Sequence, residues 1–459
     1  MRQTFNDQGG AASMSPSPLM RWLTSTVMKQ VMSPARLQKK RQRIELKRQN
    51  TAGRHVVDYF HQVDDGYSHM AAQLLQPLVT QYNIELRCHL VAGPQGDNAA
   101  EPALLLELSR YDSQQVAAHY GLQFPSHNAA PAPGLVTLAT GILSQLRGTA
   151  FIDAVVEVGH SLWNNDLDGL QALAQQLGCA SEQAAGECVA AGTALRGKMG
   201  HYSGAMFHYG GEWYWGVDRL YHLEQRLIDL ATSIDNTDKN PVLLAPRPAI
   251  ESGPLRDSGS LTLEIYPSLR SPYSAMIFDR TVQLAEDTGV KLVVRPVLPM
   301  VMRGVPATRQ KGFYIFSDAM REAAALAVPF GKMYDPIGEP VRRCYSLYPW
   351  AVEQGKGNAL LSAFLKAAFA EGHNTNNHRG LQKVVEAAGL DWQQAREHLG
   401  SDDWQQLLEN NRQAMYDFGS WGVPSFRLLD QEGHQVLALW GQDRLWLFAR
   451  EIQRLLAEK

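Results

Sequence analysis

The chain has 459 residues, of which 45% are hydrophobic and 19% charged, and its formal net charge is −3. That length exceeds one ordinary hydrophobic core and suits two domains of roughly 200 residues, while the near-neutral charge points to no polyanionic partner. No apolar run approaches the ~20 residues of a membrane span, so no transmembrane segment is expected. The start, MRQTFNDQGGAASMSPSPLM, lacks the basic-then-apolar pattern of a secretory leader. The four cysteines, Cys88, Cys179, Cys188 and Cys344, include no CxxC pair. Their scatter fits a reducing cytoplasm, with each thiol buried and inert.

In chain order, residues 1–54 read as a disordered start followed by a basic helical arm. Residues 1–18 are rich in Gly, Ala, Ser and Pro. Beyond them Arg21, Lys29, Arg36, Lys39, Lys40, Arg41, Arg43, Lys47, Arg48 and Arg54 face the single acid Glu45. Leu23, Val27 and Val31 recur at i, i+4, which predicts a helix interrupted near Pro34. Such an arm suits an anionic membrane surface, a nucleic acid, or packing on its own protein. No aromatic or glycine pattern of a nucleic-acid module accompanies it, so no nucleic-acid partner is expected.

Residues 55–230 and 260–457 read as two copies of one domain, joined by a Pro-, Gly- and Ser-containing linker at 231–259. A constant shift of 206 residues pairs Tyr67-Ser68 with Tyr273-Ser274, and Met70, Val91, Asp112 and Phe124 with Met276, Val297, Asp318 and Phe330. Gly169-Leu170 and Gly178 match Gly380-Leu381 and Gly389, and WGVDRL at 215–220 echoes WGQDRL at 440–445. The copies differ at two places. Asp65-Gly66 stands for Ser271-Pro272, and Ser203-Gly204-Ala205 for Gly422-Val423-Pro424. An ionised Asp65 would repel a thiolate, so the first copy is expected to have lost any thiol chemistry.

The stretch Leu261–Met276, LTLEIYPSLRSPYSAM, predicts a buried strand over 261–266 and a helix opening at Ser271, with Pro272 in its first position. A strand feeding a helix through a short loop places the Ser271 hydroxyl beside helix-start N–H groups and the positive end of the dipole. Such a site accepts an anion such as a thiolate; the same Ser-Pro pair is also an ordinary cap. Further helices are predicted at 312–328 and 358–370, with Gly389 as a C-cap and another helix from Asp391 to Leu399.

SPYS at 271–274, Arg295-Pro296-Val297-Leu298, the run Lys311, Tyr314, Asp318 and Arg321, GVPSF at 422–426 and WGQDRL at 440–445 occur in one order. Through these pieces residues 260–457 resemble the DsbA-like branch of the thioredoxin superfamily, and within it the kappa-class glutathione transferases and 2-hydroxychromene-2-carboxylate isomerases. The resemblance implies an α/β chain of two thioredoxin-like domains, each with an inserted helical block. It also implies glutathione as the source of the thiol, with Ser271 donating a hydrogen bond to it as the catalytic group.

The same resemblance makes Val423-Pro424 a cis-proline turn whose N–H and C=O pair with a peptide-like ligand; an ordinary trans proline at a strand start is the alternative. Gln442 and Asp443 fall where the family holds the amino end of glutathione, although Asp443 also suits capping of the last helix. Tyr273, at the same helix start, is expected to contact the substrate. Lys311, Tyr314, Asp318 and Arg321 share a helical face and suit an ion-pair ladder, while Lys311 or Arg303 could steer an anionic substrate. The loop 302–310 lacks the Asn that the family often carries. His373 and His378 lack metal-ligand spacing, and no metal is expected.

The expected activity is therefore a glutathione-dependent isomerase or transferase acting on a small aromatic or electrophilic substrate. The alternative is a non-catalytic thioredoxin-like module that binds a peptide or protein. Kappa-type relatives commonly pair two subunits, so the resemblance implies that the fused copies pair within one chain as a pseudo-dimer.

Overall fold

A computed structural model describes residues 16–31, 33–127, 129–234 and 242–458. The expected disorder of the start and the middle of the expected linker fall mostly on residues 1–15 and 235–241, outside the described residues. The chain is α/β with two four-stranded sheets, and it divides into two compact units. An N-terminal unit comprises Gln38–Pro248 with Thr308–Tyr314; a C-terminal unit comprises residues up to Leu37, Ala249–Ala307 and the chain from Ile315.

Helix α1 (Pro18–Val31) is followed by α2 (Pro34–Asn50), with Pro34 opening the second helix where its missing N–H costs no hydrogen bond. The N-terminal sheet then forms from β1 (Val56–His61), α3 (Gly66–Ala72), α4 (Leu75–Gln81) and β2 (Glu85–Leu90). A helical block follows, α5 (Pro102–Val116), α6 (Pro133–Ser144), α7 (Thr149–Trp163), α8 (Leu167–Leu177) and α9 (Glu182–Met199). The unit closes with β3 (Met206–Tyr209), β4 (Glu212–Trp215) and α10 (Leu220–Asp229). β1 runs parallel to β2 and antiparallel to β3, and the strand order is β2-β1-β3-β4. The parallel pair requires the crossover that α3 and α4 supply. α2 is tied to this sheet by Arg41, which grips Glu212 with two bonds of 2.8 Å, and by Lys40 on the Gly211 carbonyl at 2.8 Å.

The C-terminal unit repeats this order of elements. β5 (Thr262–Tyr266), α11 (Pro272–Thr288) and β6 (Lys291–Val294) lead into α12 (Arg309–Ala325), α13 (Glu339–Glu353), α14 (Gly357–Lys366), α15 (His378–Ala387), α16 (Trp392–Glu397) and α17 (Asp403–Asp417). β7 (Ser425–Leu429), β8 (Gln435–Trp440) and α18 (Leu445–Ala457) complete it, with strand order β6-β5-β7-β8. The strand expected at 261–266 is β5, and Asp391 caps α16 by accepting the Gln394 N–H at 2.8 Å. α13 carries Pro349 in its interior. A proline there argues against a helix from sequence, because it removes one backbone bond. Burial overrides that local cost: Cys344, Tyr345, Leu347 and Ala351 of the same helix are at most 0% exposed.

β1 and β5 are central strands covered on both faces, and each carries a carboxylate in its apolar run. On β5 the buried Glu264 accepts from Arg295 Nε at 2.6 Å, Arg427 at 2.7 Å and the Tyr266 hydroxyl at 2.9 Å. On β1 Asp58 meets His89 at 2.9 Å and His208 at 4.0 Å. A buried carboxylate such as Glu264 persists only where cations or donors surround it, while the half-buried Asp58 meets its histidines from β2 and β3.

One expectation needs correction. Of the four cysteines only Cys344 is buried; Cys88 and Cys188 are half-buried and Cys179 is exposed, all as free thiols. The helix expected around Leu23 and Val27 is α1, and it turns Leu23 and Val27 to solvent while Arg21 and Ser25 are buried.

Candidate functional site

The site grows from the loop between β5 and α11. Ser271 has extended backbone (φ −87°, ψ 117°), and its Oγ accepts the Ser274 N–H at 3.1 Å, which makes it the N-cap of a 17-residue helix with Pro272 behind it. Arg270 holds the approach to this cap with two bonds to the Asp335 carboxylate, at 2.8 and 3.0 Å. Burial acts to raise the Asp335 pKa, but Arg270, the Ile337 N–H and Arg21 outweigh it and leave the carboxyl below its ordinary value. The Ser274 hydroxyl accepts the Ser268 N–H at 3.1 Å, and Tyr345 accepts the Leu269 N–H at 3.3 Å while donating to the Val297 carbonyl at 3.0 Å. Every residue from 268 to 271 is thereby bonded to the framework.

Across from the cap lies the turn before β7, where the Val423–Pro424 peptide bond is cis. The Ser271 hydroxyl donates to the Val423 carbonyl at 3.2 Å, so the helix start and the cis-proline turn meet through one side chain. Among the described residues the Val423 N–H meets no acceptor. The Pro424 carbonyl accepts the Gly441 N–H at 3.0 Å, Ser425 Oγ donates to the Gly422 carbonyl at 2.8 Å, and Ser420 and Ser425 share a bond of 2.6 Å. A side chain on Gly422 would collide with the Trp440 ring, which is why glycine precedes Val423.

The other expected site residues separate into those near this junction and those used elsewhere. Arg303 is 5% exposed and donates to the carbonyls of Leu298 and Trp421, each at 2.9 Å. These two bonds brace the segment that leads into the cis-proline turn. The Tyr273 hydroxyl donates to Asp318 at 2.8 Å, and Arg321 pairs with the same carboxylate at 3.0 Å. Gln442 is 2% exposed and gives its amide to the buried Glu322 at 2.7 Å. Asp443 lies in a short 3-10 turn, Gln442–Arg444, with its side chain 21% exposed. The N-cap position of α18 is Arg444, whose own side chain makes no capping bond.

Lys311 falls in Thr308–Tyr314, which clusters with the N-terminal unit, and burial lowers its pKa below the ordinary lysine value. It is not among the groups that the C-terminal unit's own contacts bring to Ser271. Arg270, Asp335 and Tyr345 were not anticipated as site-building residues. A signal existed only for Glu264, a charge inside the apolar strand LTLEIY.

In the N-terminal unit the corresponding helix start is differently equipped. Asp65 caps α3 by accepting from the Ser68 N–H at 3.0 Å and the Ser68 hydroxyl at 2.8 Å. Burial pushes its pKa up to about 6 against the Ser68 bonds. The Ala205 N–H donates to Ser68 Oγ at 2.9 Å and the Ala205 carbonyl accepts the Gly216 N–H at 2.7 Å, with no cis bond at that turn.

A helix start capped by Ser-Pro, bonded to a cis-proline turn and set on a β6-β5-β7-β8 sheet, lies within residues 262–453, which match the sequence profile described as the DSBA-like thioredoxin domain. Residues 262–453 are a DSBA-like thioredoxin domain. Solved structures similar to the chain include 2-hydroxychromene-2-carboxylate isomerase, at 20% identity over 43% of this chain and 97% of that one, with a TM-score of 0.37. Others are the cytosolic disulfide reductase DsbM from Pseudomonas aeruginosa with GSH (17%, 43% and 98%, TM-score 0.33) and the oxidoreductase DsbA from Xylella fastidiosa (14%, 46% and 91%, TM-score 0.28). No curated protein matches the chain. The DSBA-like domain contains one cysteine, Cys344, fully buried in α13 with its thiol pKa raised by that burial.

Proposed function

We propose that the DSBA-like domain binds glutathione between the start of α11 and the Val423–Pro424 turn, and serves a cis–trans isomerase or glutathione transferase reaction on a small aromatic or electrophilic substrate. The observation that carries this reading is the Ser271 hydroxyl, which both caps α11 and donates to the Val423 carbonyl in a domain whose own thiol is buried. The Val423 N–H and C=O would hold the ligand backbone as an added strand, and Asp443 its ammonium. Bound glutathione supplies a thiolate able to add reversibly to a conjugated double bond, so that rotation can precede elimination.

The chain's contribution is electrostatic. A hydroxyl has one proton, and in the free domain that of Ser271 lies on the Val423 carbonyl. A ligand N–H that takes over this carbonyl releases the Ser271 proton for donation to an anionic sulfur. The positive end of α11 then favours the ionised thiol, as it does for cysteines at helix N-termini. The shared strand order of the two sheets supports reading the two units as copies of one domain, of which the first has lost this equipment.

Calorimetric titration with glutathione tests the reading directly. Saturable binding is expected, and its absence would favour the non-catalytic binding module instead. Ser271→Ala is expected to raise the pKa of the bound thiol, leaving about tenfold less thiolate near neutral pH, at a cap cost of about 1 kcal/mol. A thiolate absorbance titration that shows no change would remove Ser271 from the mechanism. Asp65→Ala is expected to leave glutathione binding and turnover within about twofold, since Asp65 belongs to the other unit; loss of turnover in a folded variant would show that both units contribute.

A further inference from the structure

α1 packs on the C-terminal unit with its polar side inward. Arg21 and Ser25 are each 1% exposed. Arg21 donates to the carbonyls of Asp335 at 2.6 Å and Ile337 at 2.7 Å, and Ser25 Oγ accepts the Asp335 N–H at 3.1 Å. On the other side Leu19, Met20, Trp22, Leu23 and Val27 are 65, 54, 53, 42 and 54% exposed. At helical spacing Leu19, Leu23 and Val27 form one line, Met20 and Trp22 flank it, and Arg21 and Ser25 lie opposite. A helix that merely covers a core has the reverse arrangement.

The next helix adds charge. Arg36, Lys39, Arg43 and Lys47 recur at i, i+3, i+7 and i+11 on exposed positions of α2. Its one acid, Glu45, is taken by Arg48 at 2.5 Å, while Arg41 faces the other way onto Glu212. Within about thirty residues the chain therefore offers an apolar stripe containing a tryptophan and then an uncompensated row of cations.

We propose that α1 is an interfacial anchor that lays this stripe into the surface of an anionic lipid bilayer, drawn there by the exposed cations of α2. The pairing of an apolar face with Lys and Arg is what an interfacial helix needs. The attraction acts over a Debye length, about 10 Å at ordinary salt, and requires no fixed arrangement of the two helices. A nucleic acid would engage the cations and leave the stripe in water. A second copy would cover the stripe but offer the cations no counter-charge of its own. Only an anionic lipid surface answers both features. The helix lies on the bilayer and does not cross it, since no described helix is long and apolar enough to span.

The test is flotation of the full-length protein with vesicles of phosphatidylcholine containing phosphatidylglycerol, and with phosphatidylcholine alone. The protein is expected to rise with the anionic vesicles and to bind neutral ones at least about tenfold more weakly, with high salt narrowing the difference. Leu23→Glu with Val27→Glu, both at exposed positions that leave the Arg21 and Ser25 bonds intact, is expected to lower binding about a hundredfold. Lys39→Gln with Arg43→Gln and Lys47→Gln is expected to erase the preference for anionic vesicles. The proposal is overturned if the wild-type protein fails to float with anionic vesicles, or if both variants bind as it does. It is also overturned if sedimentation shows a dimer that Leu23→Glu with Val27→Glu dissolves, which would give the stripe to a second copy of the chain.

Discussion

Glu264→Gln is expected to destabilise the DSBA-like domain by about 3 kcal/mol, because it removes the one negative charge from a buried cluster of two guanidiniums and a phenol. The Glu264 side chain is 1% exposed, and it is bonded by Arg295 just after β6, by Arg427 of β7 and by Tyr266 of its own strand. Glutamine can keep one acceptor but leaves Arg295 and Arg427 facing each other without a counter-charge. The effect sits at the lower end for a broken buried pair, since the Arg295 side chain is 35% exposed and water recovers part of its solvation. Hydrogen exchange read by mass spectrometry checks this within one sample. Peptides covering β5 and β7 should lose protection while those covering β1 and β3 serve as the unchanged reference. Equal protection in the variant would show that the cluster is held by packing rather than by charge.

Mild acid should act on the other unit. His61, His69 and His201 are 3, 1 and 2% exposed, and burial pushes each down from 6.5 to about 3. His160 beside His69, and Arg196 and His208 near His201, add to the depression. A depressed histidine lends full stability above its unfolded pKa of 6.5 and loses it as pH falls towards 3. Between pH 7 and 5 each of the three costs about 2 kcal/mol, as the unfolded chain takes up a proton that the folded one refuses. Asp65 acts in the opposite direction, because its folded value near 6 exceeds the ordinary 3.8 and it gains a proton in the folded state first. That recovers about 1 kcal/mol over the same window and leaves a net loss of about 4–5 kcal/mol from these four groups, to which His208, pushed down to about 4 by burial, adds in the same direction. None of the histidines described in the C-terminal unit is buried, so the N-terminal unit should open first. Hydrogen exchange corrected for its intrinsic pH dependence should show β1–β3 losing protection below pH 6.5. His69→Leu should remove about 2 kcal/mol of the sensitivity, since neither nitrogen of His69 has a partner among the described residues. A stability flat from pH 7 to 5 would mean that these rings are hydrated or relocated.

The residues that build the candidate site differ in how much of their role the sequence carried. The N-cap at Ser271, the strand before it and the Gly-Val-Pro turn were legible because each is a local matter. Cap preference, strand composition and proline chemistry act within a few residues of one another. The repeat of Tyr67 and Asp112 at Tyr273 and Asp318 was legible as spacing, and in both units the tyrosine hydroxyl donates to that aspartate, at 2.9 and 2.8 Å. The framework role of Arg303 was not legible for the converse reason. Nothing near position 303 announces that its partners are the carbonyls of Leu298 and Trp421, the latter 118 residues away.

The sequence by itself determined that Ser271 and Asp391 cap helices, that the strand at 261–266 is apolar and which loop brings Ser271 to a helix start, since these follow from backbone geometry and side-chain chemistry over short distances. The bounds of the helix expected at 312–328 shifted to Arg309–Ala325. Tertiary structure alone decided that Gln442 gives its amide to Glu322, that Lys311 clusters away from the rest of its domain, and that α1 turns Arg21 and Ser25 inward and its leucines outward. Periodicity states that a helix has two faces. Which of them is buried depends on the partner that the fold presents, and for α1 that partner is the hydrogen-bonding backbone of Asp335 and Ile337 rather than an apolar core.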